Sequence, residues 1–205
     1  MSELIRPHDL PVWRAARPWL DVRSNDTHTL ISYGIARALL PLRPEADENI
    51  VLPAILMHDV GWKVFPEDKL AGAVGPNPLY PELVRGHEIE GARIAREAFA
   101  VIADPGLDVE AIVGIIDGHD TRKHALSASD AVMKDADKLW RFTTHGVATI
   151  GGWFATSAKE TTAMLKDFVV PSLLTAEAKT MAAALLAETW SAARAGDYLD
   201  CEEMT

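Results

Sequence analysis

One apolar segment, residues 51–63 (VLPAILMHDVGWK), constrains the fold of this chain more than any other. It predicts a short helix, apolar on almost every side, that carries His58 and Asp59 at its C-terminal end and is stopped by Gly61. Two polar side chains in a segment built for burial need partners, because an isolated buried carboxylate costs far more than the roughly 2 to 7 kcal/mol of an unpaired amide. A metal ion would be such a partner. Adjacent helical residues point about 100 degrees apart, so the pair could hold one ion or two.

The composition is that of an ordinary soluble globular protein, with 205 residues, 48% hydrophobic and 24% charged. This length can bury one core, so a single domain over residues 1–205 is expected. The net charge of −10 argues against nucleic acid as the main partner, because such surfaces cluster Lys and Arg. The single cysteine, Cys201, excludes an intrachain disulfide. With no signal peptide and no apolar run of about 20 residues, we expect a cytoplasmic protein without a membrane partner.

Four further predicted helices each carry a histidine or an aspartate that is a candidate ligand. These are His28 in a helix over 25–40, His87 in one over 86–99, His119 and Asp120 ending one over 109–120, and Asp135 and Asp137 in one over 127–142. A histidine in the first turn of a helix has an ordinary alternative as a surface residue, and periodicity alone does not choose between Asp135 and Asp137. The main candidates are six imidazole and carboxylate groups from five predicted helices: His28, His58, Asp59, His87, His119 and Asp137. Six such groups suffice for two metals with open positions, and bundle interiors are where such sites are built.

The rest of the chain predicts helices and loops. Residues 62–86 are too broken by proline and glycine for a long helix and too apolar for a disordered linker, which indicates an ordered functional loop. Two alanine-rich helices are predicted over about 153–168 and 176–195, followed by an acidic tail. Since neither β alternation nor a Gly-rich phosphate loop is evident, the fold class is all-α. The alanine-rich helices can pack within a chain or between chains, which leaves a homo-oligomer open.

Over about residues 26–142 the chain resembles the HD-domain superfamily of metal-dependent phosphohydrolases. The phrases MHDVG at residues 57–61 and DADKL at 135–139 are typical of this family. Its pattern of His, His-Asp and Asp, with two more histidines in binuclear members, is matched here by His28, His58, Asp59, His87, His119 and Asp137. The resemblance implies a helical bundle of about six to eight helices, with C-terminal helices over 146–196 packed on the motif core.

The resemblance also implies two divalent transition-metal ions. Asp59 would bridge them, His58, His87 and His119 would be shared between them, and His28 and Asp137 would be the outer ligands. Asp137 is preferred to Asp135 because the family aspartate is followed by a basic residue and leucine. Imidazole and carboxylate ligands suit Fe, Mn, Zn, Co and Ni alike, so the metal is not determined.

The implied reaction is hydrolysis of a small phosphoester, such as a nucleotide, by a metal-activated water. Lys63, Arg122 and Lys123 are candidate phosphate-binding residues, because they follow the two His-Asp pairs. The candidate catalytic residues are Asp59, Lys63, Asp120 and Arg122. Asp120 would steer a histidine or handle a proton, although a surface role at the end of its helix fits it equally well.

Two other functions stay open. A minority of the superfamily, myo-inositol oxygenase and the phosphonate-degrading oxygenase, hold two irons on the same six ligands and use dioxygen to cleave a C–C or C–P bond. The third function is a non-catalytic binding domain with a structural metal. An intact six-ligand set argues against that role, because structural sites tend to be closed by four ligands. Hydrolysis is favoured over oxygenation only because hydrolases are commoner in the superfamily.

Overall fold

Every regular element is helical in residues 3–75 and 77–199, which the computed structural model describes. The α-helices are α1 Leu10–Ala16, α2 Asn25–Leu39, α3 Glu48–Met57, α4 Glu67–Leu70, α5 Glu82–Ile102, α6 Val109–Ile116, α7 Ala128–Leu139, α8 Thr144–Phe154, α9 Ala158–Phe168 and α10 Ala176–Leu199. This confirms the all-α fold. None of these helices is long and apolar enough to cross a membrane. Cys201 lies outside the described residues.

The chain divides into two compact units, Met1–Asp137 and Lys138–Thr205. The first unit holds all six residues that match the metal-ligand pattern. In the second unit, α9 packs against α8 and against α10. The expectation of one domain, with the C-terminal helices packed on the motif core, stays a prediction.

Helix α3 is the centre of the first unit, where it packs against α1, α2 and α6. The Asp47 side chain caps its N-terminus by accepting a hydrogen bond from the backbone of Asn49. From Val51 to Met57 every side chain is buried, which explains why this segment is apolar on all sides. The helix ends at Met57, so the prediction that Gly61 stops it is wrong.

Gly61 instead permits a close approach between backbones. It lies in the 3-10 helix Val60–Val64, which packs against α5. A Cβ atom at Gly61 would collide with the carbonyl oxygen of His87, and one at Gly91 would lie 3.1 Å from the carbonyl oxygen of His58. The two glycines therefore let α5 lie directly against the segment that follows α3, which brings His87 within 3.7 Å of Asp59.

The helix boundaries differ from the sequence-based expectation at several places. Helix α6 ends at Ile116, so His119 and Asp120 follow it and do not end a helix over 109–120 as predicted. Helix α5 begins at Glu82, so His87 lies in its second turn rather than at its start. The range 153–168, expected to be one helix, holds only the last two residues of α8 and the whole of α9, because Ala155 adopts a left-handed conformation and ends α8. Ser157 then begins α9 with a capping box that includes Glu160, a spacing that is visible in the sequence. This division and the four-residue α4 bring the described α-helices to ten, above the expected six to eight.

Candidate metal centre

Two histidines are oriented by the same type of contact, between Nδ1 and the backbone carbonyl oxygen three residues earlier. His58 directly follows α3, and the Nδ1 atom of His58 lies 2.8 Å from the carbonyl oxygen of Ile55. His119 follows α6, and its Nδ1 atom lies 2.9 Å from the carbonyl oxygen of Ile116, the last residue of α6. A carbonyl oxygen only accepts, so Nδ1 carries a hydrogen in both rings. The neutral ring therefore presents the lone pair of Nε2, which is the arrangement of a metal-ligating histidine.

The Nε2 atoms of four histidines meet in two close pairs. Those of His28 and His58 are 3.0 Å apart, and those of His87 and His119 are 3.3 Å apart. Metal–nitrogen bonds of about 2.0–2.1 Å place neighbouring ligand nitrogens about 2.8–3.4 Å apart in octahedral or tetrahedral geometry. Each pair alone could instead share one proton. The convergence of carboxylates on the same nitrogen atoms distinguishes this cluster from isolated hydrogen-bonded pairs.

Asp59 lies between the two histidine pairs. Its Oδ1 is 3.6 Å from Nε2 of His58, 3.7 Å from that of His87 and 3.7 Å from that of His119, while its Oδ2 is 3.5 Å from Nε2 of His28. One carboxylate therefore faces all four imidazoles with its two oxygens. This is the placement that a bridging ligand requires.

Besides Asp59, one further carboxylate lies at each end of the cluster. Asp137 Oδ1 is 3.2 Å from Nε2 of His28 and 3.6 Å from that of His58, and Asp120 Oδ2 is 3.7 Å from Nε2 of His87. Asp120 therefore joins the six residues that the sequence pattern selected, as the counterpart of Asp137. Three overlapping groups have the atoms to hold a metal ion: His28, His58 and Asp137; His58, Asp59 and His119; and His87, His119 and Asp120.

Asp135, the alternative to Asp137, is fully buried in α7. It belongs to none of the three groups found among the described residues. The structure thus places Asp137, rather than Asp135, with the histidines.

The buried charges shift the pKa values of the cluster in opposite directions. Burial alone would raise the pKa of Asp59, but the charge of His58 and the contact with His119 outweigh it and hold the pKa well below its usual range. Burial lowers the pKa of His87 to about 4, together with the charge of His119. Burial acts to lower the pKa of His119, but the contacts with Asp59 and Asp120 outweigh it and raise the pKa to about 10. Without a metal, a proton on His119 therefore balances part of the negative charge.

Metal binding is expected to release protons and to strengthen as pH rises. The raised pKa of His119 stabilises the metal-free fold most below the unfolded value of about 6.5, and this contribution is lost as pH rises toward about 10. Each displaced proton should raise metal affinity about tenfold per pH unit below that pKa. Calorimetric titration in two buffers of different ionisation enthalpy measures the release. An affinity that is unchanged between about pH 6 and about pH 8 would contradict it.

Glu88 fixes the turn that carries His119 and Asp120. Its buried carboxylate accepts hydrogen bonds from the backbone nitrogens of Asp120 and Thr121, both at 2.7 Å, from Thr121 Oγ1 at 2.6 Å and from Arg85 at 2.8 Å. Burial acts to raise its pKa, but the Thr121 hydroxyl and Arg85 outweigh it, so the pKa is lowered. The ionised carboxylate thus ties the segment after α6 to α5, next to His87.

Replacing Glu88 with glutamine is expected to weaken metal binding about 10- to 100-fold, the usual effect of losing a partner that orients ligands. The amide has one acceptor oxygen where the carboxylate has two, and its NH₂ would face the donors of Thr121 and Arg85. Glu90→Gln, in the same helix, is the matched control, because Glu90 pairs with Arg93 on the surface. Equal metal affinity of the two variants in an equilibrium titration would refute this role.

The three basic residues predicted to bind phosphate differ in exposure and in their contacts. Lys63 is partly exposed and forms a 2.8 Å ion pair with Asp21. Lys123 is exposed. The Arg122 guanidinium donates to the carbonyl oxygens of Asp117 and Gly114 and to the Asp130 carboxylate, so it holds the end of α6. None of these contacts involves the histidine cluster, and the substrate-binding roles stay predictions.

Two residues beside the cluster were missed by the sequence analysis as functional candidates. Trp62 donates a hydrogen bond from Nε1 to Asp59 Oδ1 and stacks on the imidazole of His87. The guanidinium of Arg23 lies over the Trp62 ring, 4.5 Å from its centroid. The spacing of Trp62, three residues after Asp59, was the available signal. Arg23 had none, because its position follows from a left-handed backbone at Arg23 and Ser24.

Comparison with known proteins found one protein-family model that matches, described as HD domain, over residues 25–141. The match covers more than half of the chain and includes all seven residues of the cluster. No curated protein and no solved structure matches the chain.

Proposed function

Because the chain belongs to the HD-domain family, we propose that it is a metal-dependent phosphohydrolase that cleaves a small phosphoester, such as a nucleotide. HD domains generally are hydrolase-type enzymes that bind divalent metals. The observation that carries the proposal is the meeting of four imidazole Nε2 atoms around the two oxygens of Asp59. A buried set of this composition needs cations to balance it, and it suits first-row transition metals.

We propose a binuclear site in which Asp59 would be a ligand shared by the two metals. His28, His58 and Asp137 would serve one ion, and His87, His119 and Asp120 the other. Bound divalent ions such as Fe, Mn, Zn, Co or Ni supply a water of lowered pKa and neutralise charge on phosphoryl oxygens. These ligands suit catalysis better than a structural site, which is usually closed by four.

The chain's own residues would orient the ligands and handle substrate charge. The backbone contacts of the His58 and His119 Nδ1 atoms fix both rings before any ligand binds. Asp120 is more exposed than the other members of the cluster, so its end of the site is open to substrate and solvent. Lys63 and Lys123, both accessible, are the proposed phosphate-binding residues. We assign Arg122 to holding the end of α6 because its guanidinium already has three acceptors.

Metal content and the need for dioxygen test the proposal together. The protein should be purified without chelators or an affinity metal resin and its metals counted by mass spectrometry. Phosphate release from a panel of phosphomonoesters and nucleotides is then measured with and without dioxygen. We expect about two metals per chain and equal phosphate release under both conditions. Turnover that requires iron and dioxygen would replace hydrolysis by the oxygenase alternative. Folded protein that takes up no added metal would overturn both.

A further inference from the structure

The Trp62 indole contacts two members of the cluster at once. It is buried in the 3-10 helix that follows Asp59. Its Nε1 donates to Asp59 Oδ1 at 3.1 Å. Its ring stacks on the imidazole of His87, with centroids 4.0 Å apart and planes inclined by 12°. A single rigid side chain thus touches a residue after α3 and a residue of α5.

The hydrogen bond restricts the rotation of the Asp59 carboxylate. Oδ1 is the oxygen that lies 3.6–3.7 Å from Nε2 of three histidines. A carboxylate oxygen has two lone-pair directions, and the indole N–H takes one of them. The other lone pair of Oδ1 remains available on the side that faces the histidines. Loss of this donor would leave the carboxylate free to turn about its terminal bond, whose rotation is only broadly restricted.

The stacking contact with Trp62 orients the His87 ring, which has no orienting hydrogen bond at Nδ1 among the described residues. His58 and His119 are each held by a hydrogen bond from Nδ1 to a backbone carbonyl. His87 Nδ1 is buried and has no hydrogen-bond partner among the described residues. Metal-ligating histidines are normally oriented through their second nitrogen. For His87 the flat indole face is the contact that fixes the plane of the ring.

We propose that Trp62 is a positioning residue of this metal centre: its N–H orients Asp59 and its ring face orients His87. The inference rests on the proposed function, because it assumes that both residues bind metal. The indole is itself held by Arg23, whose guanidinium lies over the ring. The left-handed backbone at Arg23 and Ser24, with φ of 54° and 59°, costs energy for residues other than glycine. Such strain persists where the surroundings demand it, and here it places Arg23 against Trp62.

The test is a titration of metal-free protein with Co²⁺ alone, followed by visible absorption, in wild type, Trp62→Phe and Trp140→Phe. Phenylalanine keeps an aromatic face but removes the N–H. We expect Trp62→Phe to bind Co²⁺ about 10- to 100-fold more weakly, with an altered ligand-field spectrum. Trp140→Phe is the matched control, since Trp140 is also buried and donates its Nε1–H to His145, outside the cluster. Both changes remove a buried indole, but only the first should change the spectrum.

The outcomes separate this inference from the proposed function. Wild type that binds Co²⁺, with unchanged affinity and spectrum in Trp62→Phe, would overturn the positioning role and leave the metal centre standing. Wild type that binds no Co²⁺ would overturn the metal centre and the role of Trp62 with it. If Trp62→Phe does not fold, benzothienylalanine placed at position 62 alone exchanges the N–H for sulfur at nearly constant shape. Weaker binding in that protein supports the proposal, and equal binding overturns it.

Discussion

Replacing Asp59 with asparagine is expected to abolish turnover and to lower the metal content of the purified protein. Asp59 faces the Nε2 atoms of all four histidines, so the change removes the one negative charge shared by both halves of the cluster. The loss of affinity should exceed the roughly 10- to 100-fold that follows removal of a residue that merely orients a ligand. Asparagine keeps the shape of the side chain, which isolates the effect of charge. Metal analysis by mass spectrometry and phosphate-release assays measure the two effects.

The control for this prediction is Asp68→Asn, which removes one carboxylate from the exposed surface of α4. We expect its metal content and turnover to equal those of wild type. Circular dichroism establishes that both variants keep their helical content. An Asp59→Asn protein that keeps full turnover would refute both the hydrolase and the oxygenase, since each requires this ligand.

Replacing Gly61 with alanine is expected to destabilise the protein by more than about 3 kcal/mol, beyond the usual cost of overpacking. The added Cβ would collide with the carbonyl oxygen of His87 and lie 2.5 Å from the backbone nitrogen of Gly91. Both neighbours are backbone atoms of α5, so no side-chain rotation relieves the clash. Displacement of α5 would also move His87 away from His119, and metal affinity should fall in parallel. Thermal unfolding with and without added metal measures both effects.

Gly34→Ala is the matched control, because a Cβ at this helical position meets no atom within 4 Å. Alanine in the interior of α2 should stabilise the protein by about 0.5–1 kcal/mol, owing to its greater helix propensity. If Gly61→Ala were as stable as Gly34→Ala, the close approach of α5 would not be what fixes His87.

The six residues that the sequence pattern selected lie together, but the pattern misplaced the end of the helix that precedes His58 and Asp59. His28, His58, Asp59, His87, His119 and Asp137 form one buried cluster. Their roles as ligands stay a prediction. The pattern placed His58 and Asp59 on a helix stopped by Gly61, whereas α3 ends at Met57. The guanidinium of Arg122, which was predicted to bind phosphate, is directed toward Asp117 and Asp130 by contacts that no spacing reveals, and its substrate-binding role stays a prediction.

The sequence by itself determined the all-α fold and the HD-domain family, because helical periodicity, caps and the His-Asp spacing are properties of short segments. Only the tertiary structure decided which histidines pair, that Asp120 completes the second group, and that Trp62 touches both Asp59 and His87. These relations depend on the distance at which α5 packs against the segment after α3. That distance is set by two glycines, Gly61 and Gly91, which are far apart in sequence and whose contacts are visible only in the folded chain.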